Sequence, residues 1–233
     1  MAAFGAAAAV AVHAAPIVSV VTPLRRQLLP RLSGAGTGTH VALTFDDGPD
    51  PASTPAFLDA LDDLGWKATF FMIGSMVRRS PALAAEVADA GHEVAVHGDQ
   101  HRSHLWRSPR DVATDLERAT VSITDATGIR PGWFRPPYGH LTTGSLVAAR
   151  RAGVRPVLWT TWGRDWRARA TPASVAADVA SHLEPGATVL LHDSDCTSAP
   201  GAWRSALGSL PALADRFAAE GLKPVPLGDH GLT

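Results

Sequence analysis

From His40 onward the sequence alternates short apolar runs with stretches of helical periodicity, and this alternation restricts the fold more than any other feature. Apolar runs at Val41–Phe45, Ala68–Ile73, Glu93–Val96, Trp133–Arg135, Val154–Trp159, Thr188–Leu191 and Lys223–Pro226 read as strands. Between them Thr54–Leu64, Pro81–Ala90, Asp111–Thr127, Thr142–Ala152, Val175–Leu183 and Leu210–Glu220 read as helices, several of them stopping at a glycine such as Gly65, Gly91 or Gly128. Strands separated by such helices predict βαβ units and a parallel sheet, closed as a barrel or left open and doubly wound. A chain of 233 residues is long enough to bury one sizeable core, which predicts a single domain.

Composition removes several classes of function. Lys and Arg total 21 against 22 Asp and Glu, and no basic stripe offsets the balance, so no nucleic-acid partner is expected. The single cysteine, Cys196, excludes an intrachain disulfide. Residues 1–24 carry no Lys, Arg, Asp or Glu and are rich in alanine and valine. They predict an alanine-rich helix packed on the domain, then a short helix from Leu24 to Leu32 and a linker over Ser33–Thr39, which sets residues 1–39 apart from a catalytic domain over 40–233. No cationic n-region of the signal-peptide kind opens the segment, and His13, Pro16 and Pro23 weaken a membrane span. The resulting expectation is a cytoplasmic or membrane-associated protein, with any membrane contact made through residues 1–32.

The chemistry gathers where apolar runs end. Thr44-Phe45-Asp46-Asp47-Gly48-Pro49 runs a strand into two adjacent carboxylates, although Asp-Gly-Pro is also ordinary turn chemistry. In His97-Gly98-Asp99-Gln100-His101 the histidines stand four apart, which on a helical turn would put both imidazoles on one face. His92 and His104 flank them, and spacing leaves His104 open as a ligand. One aspartate and two histidines form a three-ligand set that leaves a metal position open for water. Arg135-Pro136-Pro137-Tyr138-Gly139, Trp162-Gly163-Arg164-Asp165-Trp166 and Leu190-Leu191-His192-Asp193 repeat the pattern of polar groups following a strand. Parallel α/β folds place active sites at the C-terminal ends of their strands.

These five segments, in this order, resemble the polysaccharide deacetylases of carbohydrate esterase family 4, over roughly His40 to Leu227. The resemblance implies a distorted (β/α) barrel of mostly parallel strands, one divalent metal ion, commonly zinc, and hydrolysis of an N-acetyl group on a carbohydrate. It implies that Asp47, His97 and His101 hold the metal, that Asp46 is the base, and that Arg135 orients Asp46. It further implies that the Tyr138 backbone N–H supports the oxyanion, that Asp165 tunes His192, and that His192 protonates the leaving amine. Leu190 would receive the acetyl methyl, with Trp162, Trp166 and Pro137 as further substrate contacts; packing is the ordinary role of each tryptophan, Trp106 and Trp159 included. The chain departs from the family pattern at Gly98 and Arg102, where Ser or Thr and Pro are usual, and at Trp162, where aspartate is usual. Competing expectations are a hydrolase of another C–N amide or of an O-acetyl ester, and an inactive sugar-binding module. The presence of both Asp46 and His192 argues against the last.

Overall fold

The computed structural model describes Arg25 and residues 28–232, so the expected N-terminal helix lies outside the described residues. The strands are β1 (His40–Asp46), β2 (Thr69–Met72), β3 (Glu93–Val96), β4 (Trp133–Phe134), β5 (Arg155–Pro156), β6 (Thr161–Trp162), β7 (Thr188–His192) and β8 (Lys223–Val225). They form one eight-stranded sheet in the order β5-β4-β3-β2-β1-β7-β6, with β8 added beside β1. Every pairing is parallel. The edge strands β5 and β6 are neighbours in sequence, and residues 157–160 bridge the gap between them. Val157 N–H donates to Phe134 and Thr160 N–H to Thr188. The sheet thus curls into an incomplete barrel.

Eight α-helices are described: α1 (Pro30–Ser33), α2 (Thr54–Asp63), α3 (Gly74–Arg79), α4 (Pro81–Asp89), α5 (Pro109–Thr127), α6 (Thr143–Ala152), α7 (Pro172–Ala180) and α8 (Trp203–Ala219). Among the described residues no helix is long and apolar enough to cross a membrane. Helix α5 shows how sequence sets such an element. Ser108 caps its start by accepting from Asp111 N–H, Pro109 occupies the first turn, and Gly128 ends it at φ 70°. Its buried Val112, Leu116, Ala119 and Ile123 recur every three or four residues and face the sheet.

Strand alternation sorts the two faces of the sheet. Val41, Leu43 and Phe45 of β1 join the large core beneath the helices, with Phe57, Leu116, Leu213 and Phe217. Ala42 faces the other way, into a smaller cluster with Phe71, Ala95, Trp133 and Leu227. Parallel register pairs Thr44 with Leu190, Asp46 with His192, and Trp162 with Leu190. That register carries His192, Asp46 and Leu190 onto the same inner face.

Three differences from the sequence expectation have local causes. The run Val154–Trp159 forms only the short β5, because the chain must cross the barrel gap before β6 begins at Thr161. Helix α8 starts at Trp203 rather than Leu210. Pro211, which reads as a helix start, lies inside it, while Ala206, Leu210, Leu213 and Phe217 keep one buried stripe through the proline. Ser33–Thr39 is tied to the barrel, with Gly36 N–H donating to Gly186 and the Thr188 hydroxyl to the Gly34 carbonyl at 2.5 Å.

Candidate active site and metal centre

Two adjacent carboxylates both reach the cavity because the backbone turns sharply between them. Asp46 ends β1, whereas Asp47 adopts φ 85°, which redirects its side chain. A buried acid from the loop after β7 fixes this corner: Asp193 accepts from Gly48 N–H at 3.1 Å and from the Thr54 hydroxyl at 2.5 Å. A Cβ on Gly48 would lie 2.1 Å from the Asp193 carboxylate, so only glycine fits. Burial pushes the Asp193 carboxyl up to about 7.

Behind Asp46 lies Arg135, a fully buried guanidinium. It donates to Asp46 Oδ1 at 2.7 Å, to Thr44 Oγ1 at 2.9 Å and to the Leu158 carbonyl at 2.9 Å. Its ring neighbour is Phe71, 4.0 Å from Cζ to centroid. Asp46 is therefore held through one oxygen while the other, 3.6 Å from His97 Nε2, faces the cavity.

His97 and His101 do come together, but not on a helical turn. Residues 97–101 form a loop after β3, and Gly98 takes φ 85°. Asp115 of α5 holds this loop, accepting from Asp99 N–H at 2.7 Å and from Arg107 at 2.5 Å, while Arg78 pairs with the Asp99 carboxylate. The departure at Gly98 follows from that packing: a Cβ there would lie 2.9 Å from Asp115 Oδ2. Gly98→Ser should lower stability by at least ~1–2 kcal/mol from the left-handed backbone alone, read by urea denaturation. Unchanged stability would mean that neither the left-handed backbone at Gly98 nor the Asp115 contact excludes a side chain.

His97 Nδ1 lies 2.8 Å from the Arg135 carbonyl, an arrangement that protonates Nδ1 and leaves the Nε2 lone pair outward. Burial holds its pKa well below the ordinary value against the pull of Asp47, so the ring is neutral and fit to ligate. Donor atoms of Asp47, His97 and His101 all lie within 4.8 Å of one another. Asp47 Oδ1 is 3.5 Å from His97 Nε2 and 3.4 Å from His101 Nε2. This oxygen is buried and has no hydrogen-bond partner among the described residues. An unpaired buried carboxylate oxygen facing two imidazole nitrogens fits a divalent cation by both charge and donor type. His104 is turned elsewhere: buried against Phe134, it pairs Nδ1 with the Ser145 hydroxyl at 2.9 Å. His92 likewise accepts from Ala68 N–H.

Across a cavity of about 270 Å³ stands His192. Its Nδ1 lies 2.9 Å from Asp165 Oδ1, and its backbone N–H donates to Asp165 Oδ2 at 2.8 Å. Burial alone would lower this imidazole, but Asp165, through charge and hydrogen bond, with Asp47 and Asp46 beyond, carries it up to about 10. The cavity wall beside it is a row of indoles. Trp159 stacks on Trp162 at 5.5 Å, Trp162 meets Trp166 at 5.0 Å, and Trp166 meets the His192 ring edge-on at 5.7 Å. Leu190 lies beneath. Tyr138, at φ 60° and half exposed, sets its ring against His101 at 4.4 Å.

Most of the expected residues line this cavity, with Asp47, Arg135 and Asp165 directly behind those that do. Pro137 is the exception among the expected substrate contacts. It is buried, with its Cγ 3.6 Å from where a Cβ on Gly98 would stand, and it does not line the cavity. Trp106 is 87% exposed and does not line the cavity. Sequence reasoning missed Thr197 and Asp115, neither of which carries a local signal; Trp159, for which sequence favours packing beside a sugar-stacking role shared among the tryptophans, lines the cavity.

The same arrangement of segments is found in known proteins. The polysaccharide deacetylase family matches residues 33–157. A chitooligosaccharide deacetylase from Bradyrhizobium sp. (strain ANU 289) is 36% identical over 195 residues, covering 78% of this chain and 89% of that protein. The peptidoglycan-N-acetylglucosamine deacetylase PgdA of Listeria monocytogenes is 34% identical over 171 residues, or 73% of this chain. Those residues are 36% of PgdA, so the chain spans about a third of that relative's length. The solved structure of the Bc1960 peptidoglycan N-acetylglucosamine deacetylase superposes with a TM-score of 0.79 at 26% identity, over 87% of this chain and 92% of that one. With its half-barrel, its paired carboxylates and these relatives, the chain belongs to the polysaccharide deacetylase family.

Proposed function

We propose that the chain is a metal-dependent hydrolase that removes N-acetyl groups from an N-acetylated carbohydrate, of the peptidoglycan or chitooligosaccharide kind. The observation that carries this reading is the buried, unpaired Asp47 Oδ1 facing His97 and His101, with Asp46 on one side and the Asp165–His192 pair across the cavity. Asp47, His97 and His101 would hold one divalent ion, zinc being the family's common choice. Bound there, the ion would supply Lewis acidity toward the amide carbonyl and the attacking water.

The chain's own groups divide the remaining work. Asp46, held by Arg135, takes the proton from water as it attacks. The Tyr138 backbone N–H donates to the oxygen on which negative charge develops. His192 enters as imidazolium and gives its Nε2 proton to the departing amine, which cannot leave as an anion. Leu190 and Trp166 provide an apolar seat for the acetyl methyl. The indole row excludes water from that side, which strengthens each of these interactions. In this reading residues 40–233 form the catalytic domain.

Two measurements test the proposal. Elemental analysis of the full chain should find about one zinc-like ion, lost in His97→Ala and in His101→Ala; full retention in both variants would end the assignment of these ligands. Acetate release from peptidoglycan, chitooligosaccharides and acetylated xylan should be strongest on one of the two N-acetylated substrates. Metal-loaded protein inactive on all three would favour a binding module.

A further inference from the structure

We propose that Thr197 is a positioning residue for Asp47, tying down one carboxylate oxygen so that a single oxygen is presented to the metal; the inference rests on the metal reading above. Thr197 lies on the loop after β7, far from Asp47 in sequence, yet its hydroxyl donates to Asp47 Oδ2 at 2.7 Å. The other oxygen, Oδ1, is the one left unpaired toward His97 and His101. The same loop grips this corner twice more. Cys196 Sγ approaches the Asp47 carbonyl at 3.7 Å, and the Asp193 carboxylate accepts from Gly48 N–H.

A carboxylate with both oxygens free can rotate, offering either oxygen or both to an ion. Tying Oδ2 removes that freedom before binding and leaves Oδ1 as the single donor. Partners that orient metal ligands from behind typically change metal affinity 10–100-fold. The Thr197 bond also ties Asp47 to the loop that follows His192, which precedes Thr197 by five residues.

Thr197 is exposed, so replacing its hydroxyl by a methyl leaves no buried polar group of its own and little core to disturb. The test titrates the metal-free full chain with Zn²⁺ against a chromophoric chelator, as wild type, Thr197→Val and Thr197→Ser. Thr197→Val should bind ~10–100-fold more weakly, while Thr197→Ser, which keeps the hydroxyl, should stay near wild-type affinity. Without metal, Thr197→Val should melt somewhat lower, because the buried Asp47 Oδ2 loses the Thr197 hydroxyl, whereas Thr197→Ser should melt like wild type. Wild-type affinity in Thr197→Val would overturn the positioning role while leaving the metal site standing. Weak binding with a lowered metal-free melting temperature, unrescued by serine, would also overturn it by making Thr197 merely structural. A wild-type chain that binds no zinc would remove the metal reading and this inference together.

Discussion

Asp46→Asn should keep its metal and lose ~10²-fold or more in acetate release, the loss expected when a general base is removed. The neighbouring carboxylates are distinguished by what already holds them. Asp46 has Arg135 on Oδ1 and presents Oδ2 to the cavity, whereas Asp47 faces two imidazoles with an oxygen that has no hydrogen-bond partner among the described residues. Asparagine preserves the shape and can still accept from Arg135 through its amide oxygen, but it cannot take a proton from water. It also leaves a fully buried guanidinium without its charge partner. Breaking a buried ion pair costs about 3–5 kcal/mol, so the assay belongs well below the variant's melting temperature, beside a metal determination on the same sample. Near-normal acetate release from folded, metal-loaded Asp46→Asn would move the base to another group.

The fold was legible because its strands end where polarity changes. Val41–Phe45 is apolar and the next two residues are acids, so both the strand and its functional end can be read from local pattern. The pairing of His97 with His101 was also legible, though for a different reason from the one the spacing suggests. A glycine at φ 85° folds the loop back, and Asp115, contributed by a helix starting eight residues beyond His101, fills the space above it. Strand β6 was not legible, since two residues have no periodicity and pair only because Leu190 lies alongside Trp162. Nor was Thr197, whose partner Asp47 is 150 residues away. Such contacts depend on which loops the barrel brings together, and no local propensity encodes that. Of the two acids near His192, Asp193 adjoins it in sequence, whereas the family resemblance assigns its tuning to Asp165. Geometry separates them: Asp193 turns to Gly48 and Thr54, while Asp165 takes both the Nδ1 and the backbone N–H of His192.

That separation predicts the pH behaviour of Asp165→Asn. In the wild-type chain the imidazole of His192 is lifted to about 10: burial opposes the charged form, but Asp165, Asp47 and Asp46 together outweigh it. A raised pKa keeps the proton on the ring throughout the neutral range, so activity should hold there and fall on the alkaline side as His192 deprotonates. With a cation held by Asp47, that residue's share of the lift would be cancelled, and the alkaline limb would lie below 10. Asparagine removes the largest favourable charge and also one of two acceptors. If its oxygen keeps the His192 backbone N–H, its NH₂ faces Nδ1 and favours a neutral ring protonated on Nε2, a poor acid. The alkaline limb should therefore move down toward the ordinary histidine value of ~6.5 or beneath it, and the plateau should fall by ~10²-fold. The loss should be smaller for an activated acetate ester, whose leaving group departs without a proton, than for the N-acetyl sugar. A kcat/KM profile that keeps its alkaline limb in Asp165→Asn, with equal losses on both substrates, would make Asp165 a purely structural partner of the β7 end and leave the proton on His192 unexplained.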